Sequence, residues 1–395
     1  MKKFIDDLKN TYRPGFSLPA EFYQSEQLYR HELDSIFFRS WIYAGHVSEV
    51  PDGGCYFLTE IANESVIIVR DKQQDIRAFA NVCRHRGSRI CSKPKGRVKT
   101  LVCPYHAWAY ELDGKLRSRR EMPESFETSE YGLKPVRMEV FHGMIFITFS
   151  ESAPSLNTCL AEVSPCFDIY GLAQTKVAKQ ETFTVNANWK LALENFMECY
   201  HCAPAHVEYS KFHTLKSPKD AEAFHPAMIK RAIELGYDTR SIDDQSEHGL
   251  SESVQHFYNR KALYDPFVSG SKDGGPAAPL LGSVKEYGGG VADFQIGPLT
   301  YGILYPDHAV IYRFLPTDLQ VTDMEIVWLV NENAEEDKDY DLDNLTWLWT
   351  VTTEADKEII LNNQQGVNSR YYEPGPFSKM EDYTQSCLEW YLREL

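Results

Sequence analysis

Two short Cys/His pairs constrain this chain more than any other feature: Cys83-Arg84-His85 and Cys103-Pro104-Tyr105-His106, with seventeen residues between them. Each pair offers one sulfur and one imidazole from a tight loop. Two Cys and two His together form the ligand set of a mixed-ligation [2Fe–2S] cluster, in which the cysteines hold one iron and the histidines the other. Replacing two thiolates with neutral imidazoles makes the cluster less negative and raises its potential, which suits it to passing electrons onward singly. Structural zinc also accepts Cys2His2, but it favours C-x2-4-C and H-x3-5-H spacing over mixed pairs. On spacing alone both metals remain open.

A chain of 395 residues exceeds one comfortable core, so two domains are expected, and a 43% hydrophobic fraction is ample to bury them. The formal net charge of −16 argues against nucleic acid, because phosphate binding needs a basic face. It is compatible with a cationic or neutral small substrate, though net charge speaks mainly to solubility. No apolar run approaches the ~20 residues needed to span a bilayer, so no membrane partner is expected. Met1-Lys2-Lys3-Phe4-Ile5-Asp6-Asp7 turns acidic before any signal-like apolar stretch. Nine cysteines, an odd number with several in metal-like contexts, imply a reducing, cytoplasmic home.

The first forty residues read as an extended arm and then a helix, with Tyr29, Leu33, Ile36 and Phe37 on one face. From Trp41 to about Phe149 the texture is β-like. Val66–Val69, Ile76–Phe79 and Met144–Ile147 are separated by turn residues, and Asp113-Gly114 marks a hairpin. Both Cys/His loops fall in this small all-β stretch. Beyond Ser150 an α+β region begins. Strands are expected at Thr182–Val185, Leu299–Tyr305, Ala309–Leu315 and Met324–Val330, the last three forming an antiparallel sheet turned at Pro306-Asp307 and Pro316-Thr317-Asp318. The Ser-, Gly-, Asp- and Pro-rich stretch 215–290 reads as a long, partly mobile loop over a pocket. Glu332–Asp343 reads as a solvated acidic connection, and Leu345–Gln365 as a helix with Gly366 as its C-cap.

A second constellation runs from Asn188-Trp189-Lys190 through Glu194-Asn195-Phe196-Met197-Glu198-Cys199-Tyr200-His201 to Pro204 and His206. Glu198 and His201, three apart, share a face if the segment is helical. His206 would be misaligned on a straight helix, but Pro204 permits a bend that brings both imidazoles to one metal. Two His and one carboxylate on one face of an iron leave positions open for O2 and substrate. Cys199-x2-Cys202 could instead be half of a zinc knuckle, but no second C-x2-C follows it. The upstream cluster loops favour iron here, since a mononuclear site is where their electrons would go.

Cys-Arg-His-Arg-Gly at 83–87, Cys-Pro-Tyr-His-Ala-Trp at 103–108 and the 188–206 segment together resemble the catalytic alpha subunit of Rieske non-haem iron oxygenases, over essentially the full chain. The resemblance implies an α+β fold. It would comprise an N-terminal arm and helix (1–40) packing on the catalytic domain, an all-β Rieske [2Fe–2S] domain (41–150), and a catalytic domain with an antiparallel sheet and helices of the helix-grip, START-like kind (151–395). It implies Cys83, His85, Cys103 and His106 as cluster ligands, and His201, His206 and Asp356 as ligands of Fe(2+). Glu354 and Glu358 are rivals to Asp356 in the same run. Glu198 stands where the family more often has aspartate. It would not be a ligand but a bridge to a cluster histidine, His106, of the neighbouring subunit in a head-to-tail homotrimer. A separate reductase would supply electrons, because no G-x-G-x-x-G fingerprint for flavin or nicotinamide is present.

The glutamate variant in Asn195-x2-Glu198-Cys199-Tyr200-His201-Cys202, with Tyr371-Tyr372-Glu373-Pro374-Gly375-Pro376, resembles the branch that oxidises betaine, proline-betaine and carnitine. A trimethylammonium group donates no hydrogen bond and is recognised by cation–π contacts and carboxylates. Tyr301, Tyr305, Tyr312, Phe314 and Trp328 lie on the expected sheet as candidate aromatic walls or as ordinary core. Hydroxylating an N-methyl carbon would give a hemiaminal that collapses to formaldehyde and the demethylated amine. Two alternatives stand beside this reading: an oxygenase hydroxylating aromatic rings, and a non-catalytic Rieske-type electron carrier or zinc-stabilised binding protein.

Overall fold

Strand alternation explains the architecture. The computed structural model describes residues 1–123, 125–215, 217–244 and 248–395. A seven-stranded antiparallel sheet runs in the order Thr175–Val185, Val321–Asn331, Ala309–Asp318, Thr300–Leu304, Val291–Ile296, His256–Lys261, Ile242–Asp244. In its central strands successive side chains enter two different cores. Val310, Tyr312, Phe314, Ile326 and Trp328 pack with the helix Leu342–Val367, whereas Ala309, Ile311, Val327 and Leu329 pack on the opposite face against the 164–170 turn and the helix Pro218–Glu234. Both faces are covered, so these strands are buried over residues 309–316 and 324–330.

The β-rich half holds three smaller sheets: Ile76–Ala80, Glu64–Arg70, Cys55–Ile61 and Lys95–Arg97; Leu101–Val102, Ala109–Tyr110 and Leu116–Ser118; and Ile42–His46, Met144–Thr148 and Arg137–Phe141. The run Val66–Val69 also serves two cores. Val66 and Ile68 face the main core, while Ile67 and Val69 face a small cluster built around Cys83, Cys103, Trp108 and Tyr110. Gly114 has φ of +87°, and its N–H donates to the Glu111 carbonyl at 2.9 Å, so the Asp113-Gly114 hairpin forms as expected.

Several expectations are corrected. Residues 1–40 are mainly helical, with helices Lys2–Lys9, Glu21–Gln24 and Glu26–Ser35, because Ile5 and Leu8 bury a face and Ser25 caps the third helix by accepting from Leu28 N. Within 215–290 the described residues hold the seventeen-residue helix Pro218–Glu234 and two strands, while Lys216 and 245–247 lie outside the described residues. Ser217 at the N-cap and Pro218 at N1 start that helix. Gly366 lies inside the late helix, which continues to Val367 and is capped by Asn368. Pro316–Asp318 belongs to a strand, with a register shift there that spares proline's missing N–H, and the chain turns at Leu319-Gln320. No helix among the described residues is long and apolar enough to cross a membrane.

Candidate metal centres and active-site cavity

The two Cys/His loops are built alike. Cys83 O accepts from Gly87 N at 3.0 Å and Cys83 N donates to Ser88 O at 2.8 Å; Cys103 O accepts from Ala107 N at 3.1 Å and Cys103 N donates to Trp108 O at 2.8 Å. Each loop turns through a left-handed residue four places after its cysteine, Gly87 at φ +76° and Ala107 at φ +56°. The left-handed region favours glycine, so Ala107 carries a small strain. The loops bring the four side chains to one end of the small core. Cys83 and Cys103 are buried, and the His85 and His106 ring centroids are 4.7 Å apart. His85 stacks on Trp108 at 4.9 Å, and Tyr110 Oη lies 3.3 Å from Cys83 Sγ while accepting from Arg84 N.

The donor set fits a [2Fe–2S] cluster. His106 Nδ1 is buried without a hydrogen-bond partner, a state that a metal bond relieves. Burial foremost, and the adjacent Cys103, push the Cys83 thiol up. Two neighbouring thiolates need a cation between them, which iron provides.

At the second constellation the helix Trp189–Phe196 is capped by Asn188, whose side chain accepts from Lys190 N at 3.1 Å. It ends before Glu198, so Glu198 and His201 meet across a turn and not along a helix face. Pro204 sits in the short helix Cys202–Ala205, and His206 follows directly. The Glu198 carboxylate ties the turn together, accepting from the backbone N–H groups of Tyr200 and His201 and lying 2.6 Å from His201 Nδ1. Asp356 reaches the same point from the middle of Leu342–Val367. Its Oδ1 is 2.9 Å from His206 Nε2 and 3.3 Å from His201 Nε2, and the two Nε2 atoms are 3.1 Å apart. One ligand atom from each of the three residues lies within 4.8 Å of the others.

Helix rotation separates the three acids of the late helix. Asp356 shares the inward face with Trp349, Thr352, Thr353 and Ile360, while Glu354 and Glu358 are exposed. Burial opposes a proton on His201, yet Asp356 and Glu198 override it and push His201 up to about 10. The same two histidines hold Asp356 below the usual carboxylate range despite its burial. A site this eager for positive charge fits a divalent iron.

His201, His206 and Asp356 border a cavity of about 420 Å³. Its apolar walls are Phe196, Tyr209, Phe257, Tyr301, Trp349 and Tyr383, and Asn259, Lys261 and Asp293 add polar groups from the sheet. Of the aromatic candidates read from the sequence, Tyr301 lines the cavity. Tyr305, Tyr312, Phe314 and Trp328 are core, with Tyr312 and Phe314 packed on Phe196. The Tyr371–Pro376 segment lies instead against the N-terminal arm, where Tyr372 Oη donates to Leu18 O and Phe16 bridges Pro376. Cys199 and Cys202 both border the cavity, and a hydrogen bond from Cys202 pulls the Cys199 thiol below the usual thiol range. The composition of 215–290 points to loop and so conceals the cavity residues of His256–Lys261, for which the alternation of Phe257, Asn259 and Lys261 is the one local signal.

Two family models match this chain: a Rieske [2Fe-2S] domain over residues 40–136, and the catalytic domain of the ring hydroxylating alpha subunit over 172–395. The chain belongs to the Rieske oxygenase alpha subunits and is an oxidoreductase that incorporates O2, which sets aside the electron carrier and the zinc-stabilised binder. It is 34% identical to the glycine betaine monooxygenase oxygenase subunit of Pseudomonas aeruginosa, covering 99% of this chain and 91% of that one. It is 28% identical to the carnitine monooxygenase oxygenase subunit of Acinetobacter baumannii, covering 94% and 91%. A solved quaternary ammonium Rieske monooxygenase, described for carnitine oxidation and inter-subunit electron transfer, has the same fold at a TM-score of 0.73 and 24% identity, covering 100% of this chain and 98% of that one.

Proposed function

We propose that this protein is the oxygenase component of a two-component system that hydroxylates, and thereby N-demethylates, a betaine- or carnitine-like quaternary ammonium compound. The observation that carries this is the cavity, which joins a two-His, one-carboxylate cluster to aromatic walls suited to a methylated cation. The relatives named for glycine betaine and carnitine support the same substrate class. When bound, the two iron groups supply single-electron transfer and the activation of O2.

In this reading Cys83, His85, Cys103 and His106 hold the cluster, and His201, His206 and Asp356 hold the mononuclear iron. Glu198 orients His201 through its Nδ1, which fixes the ring so that Nε2 faces the metal. The aromatic walls place an N-methyl carbon and keep water from it. Hydroxylation of that carbon gives an N-hydroxymethyl product that releases formaldehyde, a proton and the demethylated amine. Domain limits of 1–40, 41–150 and 151–395 follow from this division of labour, as does a cytoplasmic protein fed by a separate reductase.

A head-to-tail homotrimer, with Glu198 facing the neighbour's cluster, is supported by exposed apolar side chains beside both centres: Tyr105 and Val102 near the cluster, Tyr200 and Val207 near His201 and His206. The test is O2 uptake and formaldehyde release with the reductase present, across glycine betaine, carnitine and benzoate. Uptake matched by formaldehyde with a betaine or carnitine is the expected result. Uptake with benzoate and with neither of the others would move the protein to ring hydroxylation.

A further inference from the structure

Lys261 and Asp293 are charged side chains on the inner face of a sheet, where apolar residues are the rule. The strand His256–Lys261 pairs with Val291–Ile296 so that Asn259 is opposite Asp293 and Lys261 is opposite Val291. The two-residue period therefore sends Phe257, Asn259, Lys261 and Asp293 to the cavity, while Tyr258 and Arg260 enter the other core. Arg260 is fully engaged there by Tyr170 Oη, Tyr258 Oη and the Gly289 carbonyl. Lys261 is not: among the described residues its ion-pair partner is Asp293 alone. An ammonium has three N–H donors, so one carboxylate does not exhaust it.

The other buried lysine shows what a structural pair looks like in this protein. Lys190 and Glu32 are 2.6 Å apart with side chains 2% and 0% exposed, sealed among Tyr23, Trp189 and Tyr391. The Lys261 side chain is 30% exposed and that of Asp293 10%, and both border the cavity. A buried ion pair adds little stability over apolar packing. Asp293 Oδ1 is moreover left without a hydrogen-bond partner, so the pair is poorly compensated as it stands.

We propose that Lys261, held in place by Asp293, is the carboxylate anchor of the substrate cavity. The preferred substrates are then zwitterions that carry a quaternary ammonium and a carboxylate in one small molecule. This rests on the function proposed above. The aromatic walls and the His201, His206, Asp356 cluster receive the methylated nitrogen, and the carboxylate lies against the Lys261 ammonium. The Lys261–Asp293 pair matches a zwitterion in charge, whereas a bare cation such as choline brings no carboxylate for the ammonium donors that Asp293 leaves free.

The experiment uses the full chain with its reductase and compares wild type, Lys261→Met, Lys261→Arg and Asp293→Asn. Steady-state kinetics are measured with glycine betaine and carnitine, and calorimetric binding with those two and with tetramethylammonium. Lys261→Met should raise KM and weaken binding for the carboxylate-bearing compounds by roughly 10- to 100-fold, the loss falling in KM rather than kcat. Lys261→Arg should restore much of it, and tetramethylammonium affinity should not move. Asp293→Asn should give a smaller rise in KM, because the ammonium stays but loses its positioning partner. Equal weakening of betaine and tetramethylammonium, or no weakening of either, overturns the assignment. If Lys261→Met fails to load iron, the Arg and Asn variants decide by the same comparison. A wild-type protein that turns over no quaternary ammonium compound overturns the underlying function, and the anchor with it.

Discussion

Asp356 and its two rival acids differ in position by fractions of a helical turn, and that difference decides what each can do. At i+3 and i+4 from Thr353 and Thr352, Asp356 continues the buried stripe, while Glu354 and Glu358 point outward, Glu354 lying 3.9 Å from Lys357. Asp356→Ala should therefore lose mononuclear iron and cut turnover to about a hundredth or less while the brown cluster chromophore stays. Glu354→Ala and Glu358→Ala should change stability by no more than ~0.5 kcal/mol and leave iron content intact. Iron analysis alongside O2 uptake separates these outcomes, and a Glu354→Ala protein without iron would move the ligand by two positions. Glu198 has a subtler task, since it touches His201 Nδ1 and two backbone N–H groups rather than the metal point. Glu198→Gln should keep both iron sites loaded yet slow single-turnover oxidation of the reduced cluster roughly tenfold or more. Wild-type rates in that variant would leave Glu198 as no more than a brace for the turn.

At the scale of elements, His46 joins the two halves of the chain. It ends the strand Ile42–His46, and its ring sits between Ser48 and the Leu172 carbonyl, 3.1 Å from Nε2, at the start of the catalytic domain. Burial lowers its pKa to about 4, against an ordinary value near 6.5. The unfolded chain binds a proton below pH 6.5 and the folded chain does not until pH 4, so stability is present above pH 6.5 and falls as the pH drops toward 4. The loss traceable to His46 should be roughly 2 kcal/mol at pH 5. Urea unfolding at pH 7 and pH 5 should show a steeper pH dependence in wild type than in His46→Gln, and parallel slopes would rule this coupling out.

The elements also show what the sequence could and could not disclose. Period-two runs such as Ala309–Leu315 and Met324–Val330 announced their strands, and Asp113-Gly114 its hairpin, because local chemistry alone dictates them. The helix Pro218–Glu234 was hidden: Pro226 inside it and the glycine-rich stretch after it argue locally for loop, and packing of Met228 and Ala232 against the sheet overrides both. The candidate metal ligands stand out as residue types with recognisable spacing. The cavity walls did not, since Tyr209, Phe257, Trp349 and Tyr383 come from four separate elements that only the fold brings together.

Over the whole molecule, charge is unevenly spread. From Cys83 to Arg120 there are eleven Lys or Arg against two acids, in a chain whose net charge is −16. This basic stretch contains both cluster loops, and Arg86, Lys93, Lys95 and Lys99 in it are exposed. Some of its charge is neutralised locally, as in Arg97–Asp52 at 3.2 Å and Arg89–Glu60 at 3.1 Å, but Lys93 and Lys99 have no ion-pair partner among the described residues. Exposed basic residues on the domain that carries an electron-accepting centre steer an acidic donor toward it, chiefly by raising the association rate, and salt screens that steering within about 10 Å at 0.1 M. Reductase-driven turnover at limiting reductase should therefore fall as ionic strength rises. The double substitution Lys93→Glu and Lys99→Glu should raise the KM for the reductase several-fold and flatten the salt dependence. Single turnover of the chemically reduced protein bypasses the reductase and should be unchanged by salt or by the substitution. A reductase KM that ignores both would place the electron-donor contact on another face of the molecule.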